Sequence, residues 1–376
     1  MKKVLIVVTT SLVSYGGLAT VMLNYYRAMD KTGLQIDFAS TNELDPRLHE
    51  ELKQNNSLYF NLGNRKKNGI QYLKNLNSVL NNNNYDIVHV NGNSATMAME
   101  LLVAKRRKVS VRIAHGHAAQ SNYPFLHQIL KLMFKKSYTV SLAVSQKTAD
   151  WLFDGYVDRI LNNAIDITKY RFDYRKRKIF RDMLGAGDCV VLGTVGKMTH
   201  NKNQSFLLEI FGECRKRNRN SRLILVGDGD LYQSLKDKCR RMGLEEAVYF
   251  VGMKDNVADY LQAMDIFVFP SFYEGFGMAL LEAQASGLCC LASDTIPYET
   301  KVSDGISYLS IQESAELWAE KILNTDRANR REKSSQACKK IRESGYCIQT
   351  EARKLEQLYR EMSGGNCSEK GQGRQD

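Results

Sequence analysis

Proline is scarce, with four in 376 residues. That excludes a Pro-rich stalk or stiff spacer between folded parts. The eight cysteines (Cys189, Cys214, Cys239, Cys289, Cys290, Cys338, Cys347 and Cys367) include no C-x-x-C pair. None stands with histidine at zinc-finger spacing, so a zinc module and a disulfide-stapled miniprotein are both excluded. Scattered thiols in a long chain belong to a reducing compartment, and the expected location is the cytoplasm. No apolar run approaches the roughly 18 residues of a spanning helix. The apolar start, Val4–Val8, is too short for the core of a secretion signal, and no A-x-A site follows. It reads as a buried first strand. The last stretch, SGGNCSEKGQGRQD (363–376), has little to bury and is expected to be a disordered tail.

What is abundant is positive charge. Lys plus Arg is 53 and Asp plus Glu is 41, a formal net charge of +12. Such a balance points to an anionic partner: nucleotide, nucleic acid or membrane surface. No helix-turn-helix, zinc module or interleaved basic-aromatic stripe supports nucleic acid, which is excluded as a partner.

Short β-branched runs alternate with helical stretches. The first series of strands is Val4–Val8, Ile36–Ser40, Asp86–Asn91, Val111–His115 and Leu142–Ser145. The second is Val190–Gly196, Arg222–Gly227, Val248–Gly252, Ile266–Pro270, Cys289–Ala292 and Ile306–Leu309. Continuous apolar strands separated by helices mean parallel sheets covered on both faces, and two series mean two doubly wound α/β domains. The first domain is expected over 1–168, a charged linker over 169–187 and the second domain over 188–345. A C-terminal helix is expected over 346–362.

The segment PSFYEGFGMALLEAQASGLCCLA (270–292) carries the most chemistry. A strand end feeds a loop that exposes Glu274, and a helix opens near Gly277. Gly275 and Gly277 let backbone approach a ligand closely. The amides of Met278, Ala279 and Leu280 and the helix dipole make a diphosphate site, with Glu282 one turn on. Upstream, VGKMTHNKN (195–203) puts Gly196, Lys197 and Lys202 at a strand-to-helix turn, and LVGDG adds Gly227 at the next strand end. Doubly wound sheets bind ligands at these carboxyl ends. In the first domain Gly16–Gly17 opens a helix, without a GxGxxG fingerprint. His115-Gly116-His117 closes a strand there.

EGFGMALLEA, preceded by VGK…K and LVGDG, resembles the retaining glycosyltransferases of family 4, which have the GT-B fold. Their signature is two acidic residues with seven between, here Glu274 and Glu282. GGLATVMLNYYRAMD, VRIAHGH, LAVSQKTADWLF, LNNAIDITKY and ASDTIPYET support it, so the resemblance runs from about Lys3 to Leu323. It is nearest to bacterial enzymes of capsule and exopolysaccharide assembly. The resemblance implies two Rossmann-like domains facing across a cleft. It implies hexose transfer from a nucleotide-sugar, UDP-linked, to a hydroxyl of a growing lipid-linked polysaccharide unit, with retention of anomeric configuration. It further implies a front-face mechanism in which the leaving diphosphate helps deprotonate the acceptor. Carried over by position, Glu274 contacts sugar hydroxyls, Glu282 holds the ribose and Lys202 the diphosphate, while His115 or His117 lies near the sugar. No cofactor is implied: lysines and helix amides take the role of a metal. Two positions depart from the pattern. Lys197 stands where Arg is usual, which loses a bidentate fork and keeps the charge, and Ala19 stands where an acidic residue is common.

Tyr123–Lys136, YPFLHQILKLMFKK, reads as a helix with one polar stripe of His127, Lys131 and Lys135. Phe125, Leu126, Ile129, Leu130, Leu132, Met133 and Phe134 fill the rest. Lys105, Arg106, Arg107 and Lys108 form a nearby cationic patch. Together they predict reversible binding to an anionic leaflet on the inner face of the cell membrane.

Overall fold

The computed structural model of the chain describes residues 1–13, 17–120 and 124–362. The expected tail, 363–376, and Gly16 lie outside the described residues. The chain divides into two compact units. Unit 1 is residues 1–164 together with the chain from Ile348 onward, and unit 2 is Ile165–Cys347.

Unit 1 holds a seven-stranded parallel sheet. Its strands are β1 (Lys2–Val8), β2 (Leu34–Ser40), β3 (Tyr59–Asn61), β4 (Ile87–Gly92), β5 (Val111–Gly116), β6 (Val140–Ala143) and β7 (Arg159–Ile160). The order is β3-β2-β1-β4-β5-β6-β7. Val4 sits between Ile36 and Ile87 in register. Val4–Val8 are wholly buried, because helices cover both faces. That is why these strands are unbroken apolar runs rather than alternating ones.

Unit 2 repeats the plan with six parallel strands. They are β8 (Val190–Val195), β9 (Ser221–Val226), β10 (Val248–Gly252), β11 (Ile266–Phe269), β12 (Cys289–Ser293) and β13 (Ile306–Leu309), in the order β10-β9-β8-β11-β12-β13. In both sheets the order reverses at the first strand. The crevice at the carboxyl ends of β1/β4 and of β8/β11 is therefore where a doubly wound sheet takes a ligand. The seven cysteines among the described residues are buried free thiols.

The boundaries differ from expectation in two ways. Residues 169–187 are not a separate linker but part of unit 2, with helices Ile167–Tyr170 and Tyr174–Met183. Asp173 caps the second of these by accepting from the amides of Arg175 and Lys176. Arg177 and Arg181 both pair with Asp265, at 2.5 and 3.1 Å, so their charge is used on the sheet. The C-terminal helix, Ile348–Glu361, is not a free appendage either. Ile348, Ala352, Leu355, Leu358 and Tyr359 enter the core of unit 1. Its period-3.6 apolar stripe needs a partner, and the sheet of unit 1 supplies it. The edge strands β3 and β7, three and two residues long, were not expected. They are too short to carry an alternation signal.

Candidate active site

In unit 2 the loops after β8, β9 and β11 build one end of the sheet. The chain leaves β8 through Gly196 and turns at Asn203, whose φ of 53° is left-handed, into helix Gln204–Arg217. Lys202, in that turn, reaches Glu274 in the loop after β11, with Nζ 2.5 Å from Oε1. The Glu274 side chain is 11% exposed and that of Lys202 22% exposed, so the pair is largely shielded from water. Lys202 Nζ also lies 5.0 Å over the Phe269 ring. Lys197, by contrast, is exposed, and its charge points to no partner among the described residues.

Gly227, with φ of 137°, closes the adjoining loop. A Cβ there would lie 2.1 Å from the Gly196 carbonyl oxygen, so the β8 and β9 loops touch only because this residue has none. Gly277 takes φ of 90° as the cap of helix Met278–Ala285. The Leu280 amide is not open: it donates to the Gly277 carbonyl at 2.9 Å, and Leu280 is wholly buried. Met278 and Ala279 remain as the free first-turn amides among the described residues. Glu282 follows on the same helix, where its Oε1 accepts from the Tyr170 hydroxyl at 2.8 Å. Burial pushes the Glu282 carboxyl up to about 7, against the pull of Tyr170 and Lys169. The Tyr170 contact was missed in the sequence because 112 residues separate the partners. An Asp-x-Asp sequence, Asp228-Gly229-Asp230, was also passed over after β9; Asp228 accepts from the Gly229 amide at 2.6 Å.

In unit 1, Gly17 begins helix Gly17–Ala28, with nothing within 4 Å of where a Cβ would stand. His115 is inside β5 and wholly buried, whereas His117 lies just past the strand and is half-buried. Their rings are 4.2 Å apart. His117 Nε2 stands 2.9 Å from Asn91 Oδ1, and burial pushes its pKa down to about 3, so it is neutral. His89, in β4, is 3.2 Å from His115. It was not singled out in the sequence, though a histidine in the apolar run IVHV is the signal that marks it. The site residues thus fall into two groups: Lys202, Glu274, Glu282 and the glycines in unit 2, and the histidines in unit 1.

Two family models cover the chain in succession. Glycosyltransferase Family 4 matches residues 15–169, and Glycosyl transferases group 1 matches residues 189–325. The putative glycosyltransferase EpsF of Bacillus subtilis is 29% identical over 331 residues, 84% of this chain and 86% of that protein. An Escherichia coli enzyme, UDP-Gal:alpha-D-GlcNAc-diphosphoundecaprenol alpha-1,3-galactosyltransferase, is 27% identical over 58% of this chain and 60% of its own length. The crystal structure of Anabaena HepE in complex with UDP and glucose superposes with a TM-score of 0.75 at 17% identity, covering 95% of this chain and 99% of that one. With a glycosyltransferase model on each sheet and the fold of known glycosyltransferases throughout, the chain is a GT-B glycosyltransferase.

Proposed function

We propose that the chain is a retaining, family 4 hexosyltransferase. It moves a sugar from a UDP-sugar to a hydroxyl of a lipid-linked bacterial polysaccharide unit. The reading rests chiefly on the Lys202–Glu274 pair beside the open first turn of helix Met278–Ala285, with Glu282 behind it. Lys202 and the amides of Met278 and Ala279 suit a diphosphate, and stabilise the charge that grows on it as the sugar leaves. The free Glu282 oxygen suits the ribose hydroxyls. Glu274, buried and acceptor-only, suits sugar hydroxyls, and the diphosphate helps deprotonate the acceptor on the same face of the sugar. The UDP-Gal relative, with its diphosphoundecaprenol acceptor, supports the donor base and the acceptor class.

We place the enzyme on the inner face of the cell membrane. Among the described residues no helix is long and apolar enough to cross a membrane. Helix Pro124–Lys135 instead leaves Phe125, Leu126, Ile129, Leu132 and Met133 exposed. Lys136 and the exposed run Lys105–Lys108 lie next to it, so the patch is apolar with a basic rim, and its occupant is an anionic lipid surface. Turnover of UDP-sugars by purified protein, with Glu274→Gln as the variant, tests the transfer. The variant should stay folded and lose turnover by about 10²-fold or more, the scale of a lost transition-state contact. Unchanged kinetics would overturn the assignment. UDP binding by the wild type without any turnover would instead make the chain a non-catalytic sugar-nucleotide-binding subunit.

A further inference from the structure

Unit 1 contains a chain of polar side chains that runs from the C-terminal helix to the histidines at the end of β5. Tyr359, on the C-terminal helix Ile348–Glu361, places its hydroxyl 2.6 Å from His89 Nδ1. His89 Nε2 is 3.2 Å from His115 Nδ1. Beyond it His117 Nε2 is 2.9 Å from Asn91 Oδ1, and Asn91 Nδ2 donates to the His89 carbonyl at 3.2 Å. His115 Nε2 and His117 Nδ1 have no hydrogen-bond partner among the described residues. Tyr359, His89, Asn91 and His115 are all wholly buried.

Counting donors fixes the direction of this chain. If the Tyr359 hydroxyl donates, His89 carries its proton on Nε2 and gives it to His115 Nδ1, and only His115 Nε2–H is left over. If the hydroxyl accepts, every proton reverses. Two groups are then stranded, the phenol O–H and a bare His115 Nε2. Each arrangement strands one donor, but the second also strands a buried acceptor, so the first is preferred. At the other end the Asn91 amide, oriented by the His89 carbonyl, makes His117 an Nε2–H donor and leaves its Nδ1 lone pair bare. His115 then turns an N–H toward the ring that carries this lone pair, 4.2 Å away between ring centres.

We propose that Tyr359 is a positioning residue of this enzyme: it sets one direction of proton donation from His89 to His115 and holds both as neutral Nε2–H tautomers, while Asn91 holds His117 in the same form. The C-terminal helix thereby sets which form of His115 faces the ring of His117, the half-buried histidine just past β5. The catalytic consequence rests on the resemblance's placing of His115 or His117 near the sugar; the tautomers do not. Burial reinforces the arrangement by disfavouring the imidazolium at every position.

The chain has six histidines, so ¹⁵N-histidine spectra can be assigned by single substitutions. In the wild type at neutral pH, His89, His115 and His117 should all show the Nε2–H pattern. In Tyr359→Phe the count of stranded groups becomes equal for both directions, and His115 should become a mixture of tautomers. Turnover of the UDP-sugar should fall by about tenfold, the worth of one hydrogen bond, while the Kd for UDP stays within about twofold. An Nδ1–H pattern at His89 or His115 in the wild type overturns the proposal, and needs no variant to fold. So does a Tyr359→Phe protein whose spectrum is unchanged. Absence of turnover in the wild type would count against the transferase reading alone, because the spectra are independent of it.

Discussion

Glu282 shows how one carboxylate gives opposite pH signs to stability and binding. Its pKa is raised from 4.5 to about 7 in the folded chain, first by burial. Between those values the folded state holds a proton that the unfolded chain has released. Stability therefore falls as pH rises from about 4.5 to about 7. Glu282→Gln should remove that slope, measured by urea unfolding at about pH 5 and about pH 8. Nucleotide binding should run the other way. The ionised carboxylate is the stronger acceptor of ribose hydroxyls, so UDP should bind more tightly as pH rises through about 7. Glu282→Ala should weaken UDP by roughly 1.5–3 kcal/mol at high pH, read by calorimetry. Equal affinity in the two proteins would place the ribose elsewhere. Lys202 has a comparable test: Lys202→Ala loses the charge that pairs with Glu274, whereas Lys197→Arg keeps an exposed charge. The first should reduce donor turnover far more than the second. Activity should survive EDTA; loss on chelation with recovery in Mn²⁺ would point instead to Asp228 and Asp230.

At the scale of elements, helix Pro124–Lys135 turned out the reverse of its sequence reading on one side. His127, Lys131 and Lys135 do form one stripe, but its first member turns into the protein while the two lysines pair with Asp154 at the surface. His127 is buried, stacks on Trp151 at 4.3 Å and accepts from the Ala95 amide at 3.2 Å. Lys131 and Lys135 both pair with Asp154. Of the apolar arc, Phe125, Leu126, Ile129, Leu132 and Met133 meet solvent, with Phe125 79% and Leu132 65% exposed, whereas Phe134 is wholly buried in the core of unit 1 and Leu130 packs against it. An apolar face of this size without a partner marks an interaction site. Lys131→Glu with Lys135→Glu would thus disturb packing as well as charge. The cleaner variant is Phe125→Ser with Leu132→Ser. Wild type should float with anionic vesicles at low salt and the double variant should not, with melting temperatures alike. Failure of the wild type to float would favour a soluble acceptor.

For the molecule as a whole, the return of helix Ile348–Glu361 to unit 1 means that unit 1 is closed by the last helix among the described residues. Leu355 is wholly buried in that core. Leu355→Ala should destabilise by about 2–5 kcal/mol, the range for a buried Leu truncation. The same variant should leave the UDP affinity of unit 2 unaltered. A melting temperature equal to wild type would show that the helix contributes no stability to unit 1.

The strands β1, β2, β4–β6 and β8–β13 were legible in the sequence to within about two residues; for the interior ones the reason is burial on both faces, which writes itself as a continuous apolar run, whereas β10 and β13 are partly buried edge strands. The turns at Gly196, Gly227 and Gly277 were legible because strand-end loops use local backbone requirements, such as the left-handed turn at Gly277. Tertiary structure alone decided the rest. That Tyr170 holds Glu282, that Tyr359 holds His89, and that His127 stacks on Trp151 while Lys131 and Lys135 pair with Asp154 are contacts between residues far apart in the chain. Side-chain period tells that a helix has two faces; which face is buried depends on what the fold brings against it, here Trp151 and Asp154. The Leu280 amide illustrates the same division at the smallest scale. Its place in the first turn was set by sequence, but its closure onto the Gly277 carbonyl was set by the cap geometry.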